Sequence, residues 1–297
     1  MTIIANTSIQ EKDTFIQKYP LVTFFLLAFG LTWPFLIADA LGSWGLIPFR
    51  MPLSGPGILL TILMGYCPTI AALIVTGMTS GKAGLHKLLG RILRWRAGIH
   101  WYIIAIFGVG LLYFVALQLN ILLGGTARPL PPGGFLALAM NVLVMFIVSG
   151  LVNGEEFGWR GFALPRLQAK YNALTSSLIL GAVWTLFHLP LFFTRGGGAG
   201  GNMSNTPLLA FLFFVLAGSV LVTWLYNNTR GSVLFAYLFH AGSNTWPGVF
   251  ASTTPGGLIF WMHAAVLGVA AVIVIIVYGP SRLSRLPAEE QQYVIED

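Results

Sequence analysis

Residues 258–278 read LIFWMHAAVLGVAAVIVIIVY, twenty-one positions with no Asp, Glu, Lys or Arg. A helix rises about 1.5 Å per residue, so such a run spans the roughly 30 Å of bilayer hydrocarbon. Seven further runs of this kind precede it, at Leu21–Leu41, Ile58–Met78, Trp101–Leu123, Phe135–Val152, Leu174–Phe193, Leu208–Tyr226 and Val233–Phe250. The composition agrees: of 297 residues 56% are hydrophobic and 8% charged, and the mean hydropathy is +0.81. A soluble domain carries roughly 25% charged residues. So few charges cannot cover a soluble surface, and lipid must be the solvent for most of the chain. The expected fold is all-α: a single integral membrane domain over residues 1–297, built as a polytopic transmembrane helical bundle of about eight spans. No internal repeat and no separate soluble domain is visible. The polar stretch Met1 to Lys18 is too long for the basic leader of a signal peptide, so the first run reads as a retained span.

The net charge of +7 does not point to nucleic acid, because the basic residues lie between apolar runs and form no groove-sized patch. With eight spans both termini share one side. Of the 16 Lys and Arg, 13 fall on that side, and only Arg50, Arg128 and Arg195 fall on the other. The positive-inside rule then puts both termini in the cytoplasm, in the plasma membrane of a prokaryote or the ER membrane of a eukaryote. Between the second and third spans, Ser80 to Gly98 interleaves basic residues with Leu85, Leu88, Leu89, Ile92, Leu93 and Trp95, as a basic amphipathic helix on the membrane surface would. Gly124 to Gly134 and Gly196 to Pro207 are Gly/Pro-rich and read as loops. Cys67 is the single cysteine, which excludes an internal disulfide and a Cys-rich zinc site.

An ionisable group in a span costs about 2.5–3.5 kcal/mol on insertion scales and needs a reason to be there. Glu155, Glu156, Arg160, His188 and His240 are such groups, with Asn244 beside them. In the stretch Asn153-Gly154-Glu155-Glu156-Phe157-Gly158-Trp159-Arg160-Gly161, a helix puts Glu156 and Arg160 four apart on one face, where a guanidinium can grip a carboxylate bidentately. Glu155 is turned away by about 100° and has no charged partner nearby in sequence. Such a carboxylate is a candidate general base. The plainer alternative for Arg160 is an anchor at the end of a span.

His188 sits in Trp184-Thr185-Leu186-Phe187-His188-Leu189-Pro190, where it has an alternative structural use: Pro190 frees the carbonyl of Leu186. His240 and Asn244 are four apart and share a space, either as two working groups or as a local hydrogen-bonded pair. Together the three spans offer a carboxylate, two imidazoles and an amide, a set able to activate water and stabilise an oxyanion. Hydrolysis of an amide bond in or at the membrane is the reaction that fits.

The order Glu-Glu-x-x-x-Arg, aromatic-x-x-x-His, His-x-x-x-Asn resembles the CAAX protease and bacteriocin-processing (Abi) family of intramembrane proteases, which includes the type II CAAX prenyl endopeptidases. The resemblance covers a catalytic core over residues 148–248. It implies that Glu155 activates water, that Arg160 holds Glu156, that His188 lies beside the water or scissile carbonyl, and that His240 and Asn244 stabilise the oxyanion. Trp184 departs from the Phe usual in the family and implies an altered pocket shape. Partners would be the lipid bilayer and a peptide or protein substrate, either lipidated or a leader peptide. Two routes to the nucleophile stay open. In one, Glu155, His188 and His240 bind a divalent metal such as zinc; in the other, Glu155 works alone. No His-Glu-x-x-His helix is present.

Two other classes compete. A proton-coupled transporter would also bury Glu, His and Arg, but it would show repeats. A catalytically silent scaffold or immunity protein of the same fold would not need an intact base. Depth sets a further condition. His188 lies roughly 20 Å and His240 roughly 10–12 Å from the cytoplasmic ends of their spans, while a Glu155 ending the fourth span would lie at the surface. The groups meet only if the fourth helix runs on, long and tilted, to about Arg166 or Lys170, beside a water-filled cavity open to the cytoplasm.

Overall fold

The computed structural model describes residues 14–51, 56–196, 203–253, 257–287 and 289–290. Most of the N-terminal polar stretch and part of the 196–207 loop lie outside the described residues. After a short turn at Phe15–Lys18 the helices are α1 (Pro20–Ser43), α2 (Pro56–Gly90), α3 (Ile99–Leu122), α4 (Gly134–Val152), α5 (residues 157–168), α6 (Ala173–Phe187), α7 (Leu208–Asn228), α8 (Val233–Val249) and α9 (Leu258–Tyr278). This is an all-α polytopic membrane bundle. Among the described residues the β-structure amounts to an isolated antiparallel bridge, Ala127 to Ser252.

Among the described residues seven helices are long and apolar enough to cross a bilayer: α1 to α4, α6 with its continuation to Phe193, α7 and α9. The expected run Val233–Phe250 forms α8, whose 17 residues leave it outside those seven. Neighbours in the bundle are α1 with α2, α4 with α8, α6 with α7, and α9 with both α7 and α3. Bulky apolar side chains such as Leu26, Leu111, Phe135 and Ile276 face outward, as lipid permits.

The ends of the bundle differ in charge. At one end Arg94 donates to the Arg230 carbonyl (2.8 Å), Asn227 donates to the Arg282 carbonyl (2.8 Å), and Arg91 bonds the Tyr226 hydroxyl. At the other end Arg50 pairs with Asp39 (3.1 Å), the Arg195 amide donates to Ser43 (2.9 Å), and the Arg128 amide donates to the Ala251 carbonyl (3.0 Å). Asp39 is fully buried and also accepts from the Met51 amide (2.7 Å), which fastens the 44–51 turn. It is an acid within the first span that hydropathy passed over.

The expected amphipathic helix over Ser80–Gly98 is realised only in part. The helix breaks at Gly81 (φ 60°, ψ −154°), resumes to Gly90, and closes with a 3-10 turn at Arg91–Leu93. Arg91 is buried rather than solvated, because Tyr226 receives it.

The expectation of one long fourth helix needs correction. α4 stops at Val152, and the chain turns through Asn153–Gly154 before α5 begins as a π-helical turn (Phe157–Ala163) running into Leu164–Gln168. α2 causes the break. The Gly154 carbonyl accepts from Thr69, and Tyr66 donates to the Leu151 carbonyl (2.7 Å). A Cβ on Gly154 would lie 2.3 Å from the Tyr66 ring, and one on Gly158 would lie 2.6 Å from the Pro68 backbone. Only glycine lets α5 approach α2 this closely. As a result α5 is the buried centre of the bundle, while α4 has no buried residue at all. Arg160 accordingly belongs to the interior and not to the charge count of either end.

Candidate active site

α5 descends from the middle of the bundle to the basic end. Glu156 meets His240, seven residues into α8; Gly161 packs near Val233, where α8 starts; Gln168 bonds Asn227 at the end of α7. This places Glu155 at mid-depth, as the depth argument required, although by a broken path.

Four residues after Glu156, Arg160 uses a single nitrogen, Nη1, to reach both Glu156 oxygens (2.9 and 3.2 Å). The expected pair forms, but as a one-nitrogen contact and not a two-nitrogen fork. The guanidinium lies over the Trp184 ring, 4.6 Å from its centroid. Both charges are completely buried, so each depends on the other for compensation. Glu156 Oε1 also meets His240 Nδ1 at 2.8 Å. That link joins the first motif to the third. It orients the imidazole and leaves Nε2 to face outward, the usual work of a carboxylate behind a functional histidine.

Glu155 is not without partners. Its Oε2 accepts the indole N–H of Trp159 (2.7 Å) and that of Trp184 (2.7 Å). Trp159 is its i+4 neighbour on α5, and Trp184 comes across from α6. Indole nitrogens donate only, so this clamp suits an ionised carboxylate and fixes its plane. Glu155 Oε1 accepts no hydrogen bond among the described residues, and Glu155 lines a cavity of ≈ 230 Å³ together with His188, His240 and Asn244.

His188 follows the last residue of α6 as its C-cap, ahead of a 3-10 turn at Leu189–Phe193 that Pro190 enforces. Its Nδ1 lies 2.8 Å from the Trp184 carbonyl, not that of Leu186. A carbonyl can only accept, so Nδ1 carries the proton and Nε2 is left toward the cavity. Asn244 is exposed and has no hydrogen-bond partner among the described residues. It lines this cavity and a second of ≈ 130 Å³ that Glu156, Trp184, His188 and His240 border. The local His240–Asn244 bond is therefore absent, and Asn244 is available to a ligand. Trp184 packs edge-on against His240, centroids 5.2 Å apart.

All six residues singled out from sequence thus come together around Trp184. The two indole contacts to Glu155 are not anticipated by the sequence reading, in which Trp159 is apolar surface and Trp184 shapes the pocket; the i,i+4 offset of Trp159 from Glu155 is the available signal. Among the described residues no three His, Cys, Asp or Glu side chains group as a metal site requires.

The cavity lies off the centre of the bundle. Leu36 lies seven residues before the end of α1, Thr61 lies early in α2, and Leu191 follows α6, so its walls belong to the half nearer Arg50 and Arg195. Toward the basic end Trp159, Phe162, Ala163 and Leu164 fill the space with no exposure.

Comparison with known proteins agrees with the motifs. Residues 135–246 match the family model described as type II CAAX prenyl endopeptidase Rce1-like. A CAAX prenyl protease 2 from Methanococcus maripaludis is 29% identical over 161 residues, covering 52% of this chain and 59% of the relative. The alignment thus spans a little under two thirds of that relative's length.

Proposed function

The chain is CAAX-protease-like over its motif-bearing segment, and from this we propose that it is an intramembrane endopeptidase in which Glu155 activates water directly. The observation that carries the proposal is the double indole clamp on Glu155 Oε2, which leaves Oε1 beside a cavity lined by two imidazoles and an amide. In this reading Oε1 takes a proton from water, and the hydroxide attacks the scissile carbonyl carbon. The oxyanion that forms takes N–H donors from Asn244 Nδ2 and from His240 Nε2. An imidazolium at His240 is compensated by Glu156. Glu155 then passes its proton to the leaving nitrogen as the C–N bond breaks, giving an acid and an amine. His188 Nε2 orients the water. The catalytic core is residues 148–248, and the substrate is a peptide or protein segment, lipidated or a leader.

The proposal is tested by assaying purified protein in liposomes against a panel of lipidated and leader peptides, with and without a strong chelator. Cleavage that persists in the chelator is expected; cleavage abolished by chelator and restored by zinc would overturn the metal-free mechanism. Trp184 gives a second expected result. Trp184→Phe keeps the bulk and removes one hydrogen bond to a charged group, worth about 1.5–3 kcal/mol. Turnover should fall about tenfold and not vanish, since Trp159 still holds Oε2. Unchanged kcat would show that the clamp does not set the base.

A further inference from the structure

A second groove, of ≈ 550 Å³, lies at the basic end of the bundle and shares no residue with the site around Glu155. Its walls include Leu93, Arg94, Trp95, Arg96, Arg230 and Glu290. We propose that this groove binds the phosphate headgroup of an anionic lipid, and that the Glu290 carboxylate takes the headgroup's place when no lipid is bound. The proposal is independent of the protease reading.

Depth is the first observation. The second span runs to Leu93 and the third begins at Ile99, so residues 94–98 link two membrane helices. α7 ends at Asn228 and α8 begins at Val233, so Arg230 lies in a second such link. Links this short stay close to the ends of the spans, at the level of lipid phosphates. Leu93 and Trp95 are exposed there. Tryptophan favours that layer, and the two side chains offer an apolar wall to the first carbons of an acyl chain.

Charge is the second. Three guanidinium groups line the groove against one carboxylate among the described residues. Arg94 donates to the Arg230 carbonyl (2.8 Å), which joins the two links into one rim. Arg96 lies against the Trp95 ring, 5.6 Å from its centroid. Arg230 Nε donates to Glu290 Oε2 (2.8 Å). Guanidinium forks match phosphate oxygens as they match a carboxylate. The Arg230 and Glu290 side chains are 65% and 38% exposed. A pair so open to water holds weakly, so another anion can displace the carboxylate. Glu290 stays close as a competitor, because Asn227 and Asn228 at the end of α7 donate to the carbonyls of Arg282 (2.8 Å) and Leu283 (2.9 Å) and fasten the chain that follows α9.

The backbone is the third. Arg230 has φ 55°, in the left-handed region that bulky side chains rarely adopt. Glycine or asparagine would make the same turn with less strain. Strain of this kind collects at ligand clamps, and here it sets a guanidinium over the groove.

The test titrates a phosphatidylglycerol labelled on its acyl chain into the purified full chain in neutral detergent. Unlabelled phosphatidylglycerol should displace the probe at least tenfold better than phosphatidylcholine, and inorganic phosphate at the same concentrations should not displace it. Each arginine near an anionic headgroup is worth about fivefold in affinity. Arg230→Asn, which suits the left-handed turn, should therefore weaken binding about fivefold without lowering the thermal midpoint. Adding Arg96→Gln, at an exposed position, should bring the loss to about 25-fold. Glu290→Gln should tighten binding by removing the competitor. Equal displacement by the two lipids, or unchanged binding in the double variant, overturns the site. Displacement by inorganic phosphate as effective as by the lipid would make the ligand a soluble phosphate and overturn the lipid assignment. Unchanged binding in Glu290→Gln would overturn the stand-in role of that carboxylate.

Discussion

Replacing Glu155 with glutamine should lower peptide cleavage by about 10²- to 10⁴-fold, the usual contribution of a positioned general base. The substitution is nearly isosteric. An amide oxygen can still accept both indole N–H groups, so the Trp159 and Trp184 contacts at 2.7 Å survive and the bundle should fold. What is lost is the basic oxygen facing the cavity. The measurement is turnover of purified protein in liposomes, with thermal unfolding recorded alongside. Full activity in a folded Glu155→Gln protein would remove Glu155 from the mechanism. It would also revive the silent-scaffold alternative, which needs no base.

Replacing Arg160 with methionine should act on stability first. It leaves Glu156 in a site with no exposure and with only His240 beside it. Breaking a buried ion pair from one side costs about 3–5 kcal/mol, because the surviving charge loses its compensation. The midpoint of thermal unfolding in detergent should drop sharply. The double variant Arg160→Met with Glu156→Gln should regain part of the loss, since it leaves no unpaired charge in the interior. An unchanged midpoint for the single variant would mean that water reaches Glu156 and that the interior around α5 is not sealed.

The parts of this molecule that follow from local rules were legible in its sequence. Apolar runs of bilayer length gave the spans. The i,i+4 offset gave Glu156 with Arg160, and the three motifs gave the residues that meet at mid-depth. Depth arithmetic showed that Glu155 had to be carried inward. What stayed hidden depends on contacts between distant segments. Hydropathy ends the fourth run at Val152 but does not show that the chain turns at Asn153–Gly154 and continues inside the bundle, a path that Tyr66, Pro68 and Thr69 of α2 impose. Tryptophan counts as apolar in any hydropathy sum, which hides the N–H groups that Trp159 and Trp184 bring to one carboxylate oxygen. The Trp184 ring under the Arg160 guanidinium comes from a helix that sequence order does not bring near.

The seam between α2 and α5 has a consequence for heredity. Residues 65–69 and 154–158 are separated by some ninety positions of chain, yet Gly154 and Gly158 leave no room for even a methyl group against Tyr66 and Pro68. Selection that preserves Glu155 must therefore preserve the facing stretch of α2 as well. The two segments form a single unit of inheritance, able to vary only by compensated steps.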